Sequence, residues 1–381
     1  MENFKRLDQF ILPSYDGNSI VNLSNSLLNH FGIDEVNPPL RKNLELNSKI
    51  VLIVIDGLGM NVLKNTLSSF TNLFELKIDS LTSTFPSTTS TAITSLLTGK
   101  EPGEHGIIGY ISYIKELGGL TNILRYSHPL SGERDMFKEF LDLAQIAKGE
   151  SIIKKVKDKG FKTKIIIPKE IANSALSRLT HGGSEAYEYI NHWDAIISLK
   201  KAVENNSDLV YAYFPQVDTL SHVYGYRSEE TYIALRDLLS LMNHYIGLLR
   251  GKASFIITAD HGHIEVGKVH KVLDDKELMS ILSLPPFGDS RAIFLKSESD
   301  IRSYFSEKYS NFKVFTKEEA LKLSIFGKLD KDFIDRIGDY IAIPFDNSVM
   351  IYPFKKKEDF MLKGQHGGLL EEEMVVPLII Y

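Results

Sequence analysis

Apolar runs of strand length alternate along this chain with stretches of helical period. The runs at 50–55 (IVLIVI), 164–167 (KIII), 209–214 (LVYAYF), 255–258 (FIIT) and 375–380 (VVPLII) are continuous rather than alternating with polar residues. That pattern suits strands covered on both faces, as in a mostly parallel central sheet flanked by helices. Pro377 lacks a ladder N–H, so the last strand is expected near an edge. Helical spacing falls at 60–70, 90–97, 228–250 and 318–323. The β–α–β–α order predicts an α/β fold. The composition changes after Val266. Residues 268–361 read as an inserted α+β cap of short mixed elements, leaving 1–267 and 362–381 as the core. The segment 110–191 reads as peripheral elaboration of that core.

Polar clusters sit just after predicted strands or at helix starts, where sites form in open α/β sheets. Asp56 ends the first apolar run and is followed by Gly57 and Gly59. A carboxylate there is costly to bury unless it is paired or bound to a cation, although a helix-capping aspartate has the same local pattern. Hydroxyl residues crowd the start of the helix in FPSTTSTAITSLLTG, residues 85–99. Free N–H groups at a helix start hold phosphate oxygens, and Ser or Thr also serves there as a simple cap. Asp218 and His222 are spaced to share one helix face. Asp260, His261 and Gly262 follow the strand at 255–258. His263 is expected in a supporting or surface role. His366 is bracketed by Gly364, Gly367 and Gly368, which permit close backbone approach. Each cluster taken singly has a structural explanation. Jointly, three carboxylates, three imidazoles and one hydroxyl form an oxygen and nitrogen donor set suited to two divalent cations, Zn²⁺ or Mn²⁺.

Composition narrows the partners. The 381 residues carry a net charge of −5. The only dense basic run is Lys355–Lys356–Lys357, so polymeric nucleic acid is not an expected partner. A small phosphorylated substrate, such as a nucleotide, is compatible because bound cations add positive charge. There is no cysteine, which excludes disulfides, thiolate ligands and a cysteine nucleophile. Residues 1–17 hold no signal-like apolar run, and no apolar stretch reaches membrane length. A cytoplasmic location without membrane association is the expectation.

The order Asp56…Thr89…Asp218-x-x-x-His222…Asp260-His261…His366 resembles the metal-ligand and nucleophile order of the alkaline phosphatase superfamily. Within it, the chain is most similar to the type I phosphodiesterase/nucleotide pyrophosphatase family. The resemblance covers 50–109, 211–266 and 364–381, closing on His-Gly-Gly, acidic residues and an apolar strand. KEPGEHGIIG at 100–109 also resembles the family, with His105 in a structural role. The resemblance implies an alkaline-phosphatase-like core. It assigns Asp56, Asp260, His261 and the nucleophile to one metal, and Asp218, His222 and His366 to the other. It implies a covalent phospho- or nucleotidyl-threonine, formed and then hydrolysed. Thr84, Ser87, Thr88, Ser90 and Thr91 compete with Thr89 for the nucleophile's role. In related enzymes the nucleophile stands nine positions before the threonine of a Thr-Gly pair, here Thr98–Gly99, which selects Thr89. The Thr-Phe-Pro wording common in the branch would point to Thr84, expected in the preceding strand. A phosphomonoesterase is the first rival, with Arg291 as a possible anion partner arriving from the cap. A non-catalytic binding protein that keeps the fold is the second.

Overall fold

The continuous apolar runs form the middle of a seven-stranded sheet. The computed structural model describes residues 4–67, 78–354 and 362–381. The strands are β1 (Ile50–Ile55), β2 (Ile78–Thr82), β3 (Thr163–Pro168), β4 (Ala186–Tyr189), β5 (Leu209–Phe214), β6 (Ser254–Thr258) and β7 (Val375–Ile380). Their order is β2-β7-β6-β1-β5-β3-β4. From β6 to β4 the strands are parallel, and β7 is antiparallel to both of its neighbours. Every residue of β1 and β5 is buried, as strands covered by helices on both faces require.

All five expected strands are present. The two that the pattern missed, β2 and β4, are the sheet edges. Partly exposed, they carry polar residues and no continuous apolar run. β7 is second from the edge, with Pro377 opposite Ser80 of β2. The helices that bear on the site are α1 (Met60–Leu67), α2 (Thr89–Thr98), α3 (Gln216–Tyr224) and α4 (Glu229–Leu248). The helix expected at 318–323 spans Lys317–Lys322. The end of the helix expected at 60–70 and the run Lys355–Lys356–Lys357 lie outside the described residues. Among the described residues, no helix is long and apolar enough to cross a membrane.

A second, six-stranded antiparallel sheet covers the site. Its order is Phe312–Thr316, Tyr340–Pro344, Ile293–Leu295, Phe287–Gly288, Ile111–Ile114 and Gly119–Asn122. Strands from 268–361 therefore share a sheet with two strands from the 110–191 segment. That segment is not peripheral: it also supplies β3 and β4 to the central sheet.

The two sheets are joined by a buried ion pair. Arg291 is fully buried and reaches Glu373 through Nε at 2.7 Å and Nη2 at 2.8 Å. Its Nη1 donates to the carbonyls of Asp346 and Ser348. Glu373 in turn accepts the N–H of Gly368 at 2.8 Å and of Leu370 at 3.3 Å. Removing one member leaves a buried charge without its partner, the costly half of such an exchange. Arg291→Met is therefore expected to destabilise folding by about 3–5 kcal/mol, read as a lowered urea midpoint. A loss below about 1 kcal/mol, the range of an exposed pair, would contradict the assigned role.

Candidate active site

Three neighbouring parallel strands deliver the acidic residues to one end of the sheet. Asp56 follows β1, Asp260 and His261 follow β6, and α3 starts two residues beyond β5. Gly262 makes the turn after β6 possible, because a Cβ there would sit 2.0 Å from the carbonyl oxygen of Glu372. Gly367, at φ +118, lets the C-terminal loop swing His366 into the same space.

All seven expected residues converge. The Nε2 atom of His261 lies 3.4 Å from Asp56 Oδ1, 3.3 Å from Asp260 Oδ2 and 3.1 Å from Thr89 Oγ1. On α3, His222 Nε2 lies 3.3 Å from Asp218 Oδ1, as the i, i+4 spacing predicts, and His366 Nε2 lies 3.7 Å from the same oxygen. The two groups adjoin: the His261 and His366 rings stack with centroids 3.7 Å apart.

The hydrogen bonds orient the donor atoms inward. Nδ1 of His222, His261 and His366 faces the carbonyls of Gly364, Gly262 and Ser87 at 2.9, 3.1 and 3.0 Å. A carbonyl only accepts, so each Nδ1 carries a proton and each Nε2 faces the site, the usual arrangement of a metal-binding imidazole. Against its burial, Asp218 raises His222 to about 9, so its Nε2 would give up a proton to a cation. The carboxylates are similarly divided. Asp260 Oδ1 takes the N–H groups of Gly57 and His261, and Asp56 Oδ2 takes the Tyr213 hydroxyl. The other oxygens, Asp56 Oδ1 and Asp260 Oδ2, are buried without a hydrogen-bond partner. Orphaned carboxylate oxygens beside inward-facing imidazole nitrogens fit divalent cations.

Electrostatics point the same way. Burial, then the charges of Asp260 and Asp218, push the Asp56 carboxyl well above its usual range. Burial also raises Asp260. Burial opposes ionisation of Asp218, yet His222 and His263 outweigh it and hold that carboxyl well below its usual range. Burial and the neighbouring imidazoles keep His366 neutral.

The hydroxyl residues separate by their partners. Ser90 Oγ donates to the Gly109 carbonyl, and Thr91 Oγ1 accepts the Gly109 N–H. Ser87 Oγ donates to the Gly368 carbonyl, and Thr88 bonds the Asp289 carboxylate. Thr84 lies beyond β2, in the loop rather than the strand, and donates to Pro86. Thr89, the first residue of α2, is the one of the six whose hydroxyl meets His261. His105 is buried between Ser95 and the Ile107 N–H, a purely structural setting.

Two residues escaped the sequence reading, and His263 takes the supporting one of its two expected roles. Tyr213 anchors Asp56 from the core face of β5. His263 is fully buried, not on the surface; its Nε2 donates to Asp218 at 2.8 Å, and it groups with Asp218, His261 and His366 within 4.8 Å. Asp289 enters from the covering sheet, its carboxyl pushed up to about 6 chiefly by burial. In the segment FGDSRAIF it reads as a turn residue beside Arg291. That arginine is committed to Glu373 and does not face the site. A cavity of about 360 Å³ runs from Thr88, Thr89, His222 and His366 to Phe287, Asp289, Tyr352 and Phe354.

Comparisons with known proteins agree with this architecture. The family model for type I phosphodiesterase/nucleotide pyrophosphatase matches residues 50–369. Murine ectonucleotide pyrophosphatase/phosphodiesterase 5 is similar in structure at a TM-score of 0.64 and 15% identity, over 87% of each chain. The human protein of that name gives 0.63 and 16%, again over 87% of each chain. Phosphonoacetate hydrolase from Sinorhizobium meliloti, in complex with phosphonoformate, gives 0.62 and 18%, over 87% of this chain and 89% of that one. At such identities the likeness is one of fold. No curated protein matches the chain.

The raised carboxyls set a pH dependence for the metal-free protein. Asp56 and Asp260 hold protons more tightly folded than unfolded, so their contribution is present below the ordinary aspartate range and is lost as pH rises through their elevated values. Asp260→Asn is expected to raise the melting temperature of the chelator-treated protein at pH 7 and to flatten its slope between pH 4 and 7. An unchanged slope in a thermal-melt series would count against the mutual repulsion of these groups.

Proposed function

Because the chain belongs to the type I phosphodiesterase/nucleotide pyrophosphatase family, hydrolases of phosphoester bonds, we propose that it cleaves phosphodiesters or nucleotide pyrophosphates with Thr89 as nucleophile. One observation carries this reading. The Thr89 hydroxyl lies 3.1 Å from His261 Nε2, while the five competing hydroxyls are bound elsewhere.

In this proposal Asp56, Asp260, His261 and Thr89 hold one divalent cation, and Asp218, His222 and His366 hold another. Zinc or manganese suits both donor sets. The cations would supply positive charge against the non-bridging oxygens and lower the pKa of the attacking groups. The chain's own residues do the rest. Thr89 Oγ1 attacks phosphorus in line, the P–O bond to the leaving group breaks, and that alkoxide or phosphate takes a proton. Water then cleaves the bond between phosphorus and Thr89 in this phospho- or nucleotidyl-threonine, releases the phosphate monoester or nucleotide and restores the hydroxyl. The first N–H groups of α2 donate to a phosphoryl oxygen. Residues 268–361 act as a cap that shapes the substrate cleft.

A phosphomonoesterase must place one further negative charge, and Arg291, the arginine considered for that task, is bound to Glu373. The diester reading is therefore preferred. Thr89→Ala is expected to lower kcat/KM for bis(p-nitrophenyl) phosphate, with Zn²⁺ or Mn²⁺ supplied, by about three orders of magnitude or more. Wild type acid-quenched during turnover of that diester is expected to show added p-nitrophenylphosphoryl mass on the Thr89 peptide. Undiminished turnover in Thr89→Ala would overturn the nucleophile.

A further inference from the structure

The cleft carries one carboxylate that the proposed chemistry does not use. Asp289 comes from the covering sheet and reaches both flanks of the reaction centre. It bonds the side chain of Thr88, which precedes Thr89. On the other flank it packs against Gly367, which follows His366: a Cβ on Gly367 would lie 2.8 Å from Asp289 Cγ. The Ser290 N–H, at 2.7 Å, holds Asp289 Oδ1 in place. The residue stays partly exposed and lines the cavity together with Thr88 and Thr89. The arginine two positions on, Arg291, points into Glu373 and leaves the Asp289 charge uncompensated from that side.

We infer that Asp289 is a specificity-determining residue that admits singly charged phosphodiesters and excludes doubly charged phosphate monoesters. The inference rests on the two-cation reading above. Three carboxylates, Asp56, Asp218 and Asp260, set against two divalent cations leave one net positive charge at the centre. Ionised Asp289 cancels it. A diester then brings one negative charge to a neutral site, whereas a monoester dianion brings two. Like charges at this range in a partly buried cleft are worth a factor of about ten to a hundred. A carboxylate is therefore enough to decide between substrates that share every other feature.

The test compares methyl p-nitrophenyl phosphate with p-nitrophenyl phosphate, which share a leaving group and differ by one charge. In metal-loaded wild type, kcat/KM is expected to favour the diester. In Asp289→Asn, the monoester-to-diester ratio is expected to rise by about tenfold or more. Thr88→Val removes the bond that favours the ionised form of Asp289, and in alkaline buffer, where the carboxylate stays charged without it, is expected to hold the wild-type ratio. Inorganic phosphate, a dianion, is expected to bind metal-loaded Asp289→Asn more tightly by calorimetry. A wild-type preference for the monoester overturns the inference. So does a ratio moved less than about twofold in Asp289→Asn, whatever happens to the separate rates, because a merely structural role lowers both alike. If wild type cleaves neither ester, the proposed reaction falls, and phosphate binding alone decides the role of Asp289: tightening in Asp289→Asn supports it, and no change overturns it.

Discussion

Three carboxylates meeting at the end of a parallel sheet are the constraint around which this molecule is arranged. Asp56, Asp218 and Asp260 come from the ends of adjacent strands or from the helix that follows one. Asp260 and Asp218 raise the cost of ionising Asp56, Asp218 raises that of Asp260, and two of the three have an oxygen with no hydrogen-bond partner. Such an arrangement costs folding free energy unless positive charge enters. The apolar strands β1 and β5, buried along their whole length, provide the stability against which that cost is set.

The surrounding network aims groups rather than merely filling space. Tyr213 holds Asp56, His263 holds Asp218, and two backbone N–H groups hold Asp260. The loop carrying His366 is fastened on both sides. Ser87 accepts the Gly367 N–H, donates to the Gly368 carbonyl and takes the His366 Nδ1 proton on its own carbonyl. Glu373 takes the Gly368 and Leu370 N–H groups and is itself clamped by Arg291. Ligand geometry thus depends on bonds made far along the chain, which explains why glycines stand where Cβ atoms would collide.

This long-range wiring also explains what was legible in the sequence. The central strands were readable because burial on both faces forces continuous apolar runs. The edges β2 and β4 were not, because half-exposed strands carry polar residues. Asp218 and His222 could be paired from their helical spacing, and the strand-end positions of Asp56, Asp260 and His261 could be seen from the runs that precede them. Thr89 needed a spacing rule, since six hydroxyls look alike until their partners are known. Tyr213 and Asp289 had no local signal at all, and His263 only its place beside Asp260 and His261. Tyr213 reads as one more aromatic in a core strand, His263 as a neighbour of a better candidate, and Asp289 as a turn residue. Each acquires its role only from what folding brings opposite.

The short turn Asp289–Ser290–Arg291 shows how the covering sheet and the core share one electrostatic problem. Two ionised residues, two positions apart, are sent to different places: the anion to the cleft, the cation to a buried partner. Had they paired with each other, the cleft would have lost its charge, and Glu373 would have kept an unpaired one in the interior. Sending Arg291 to Glu373 stabilises the His366 loop and, by the same act, leaves Asp289 ionised where substrate must pass. In the proposed reaction the carboxylates and imidazoles of the core set which bond can be attacked. The charge that the covering sheet leaves exposed decides which phosphate ester reaches it.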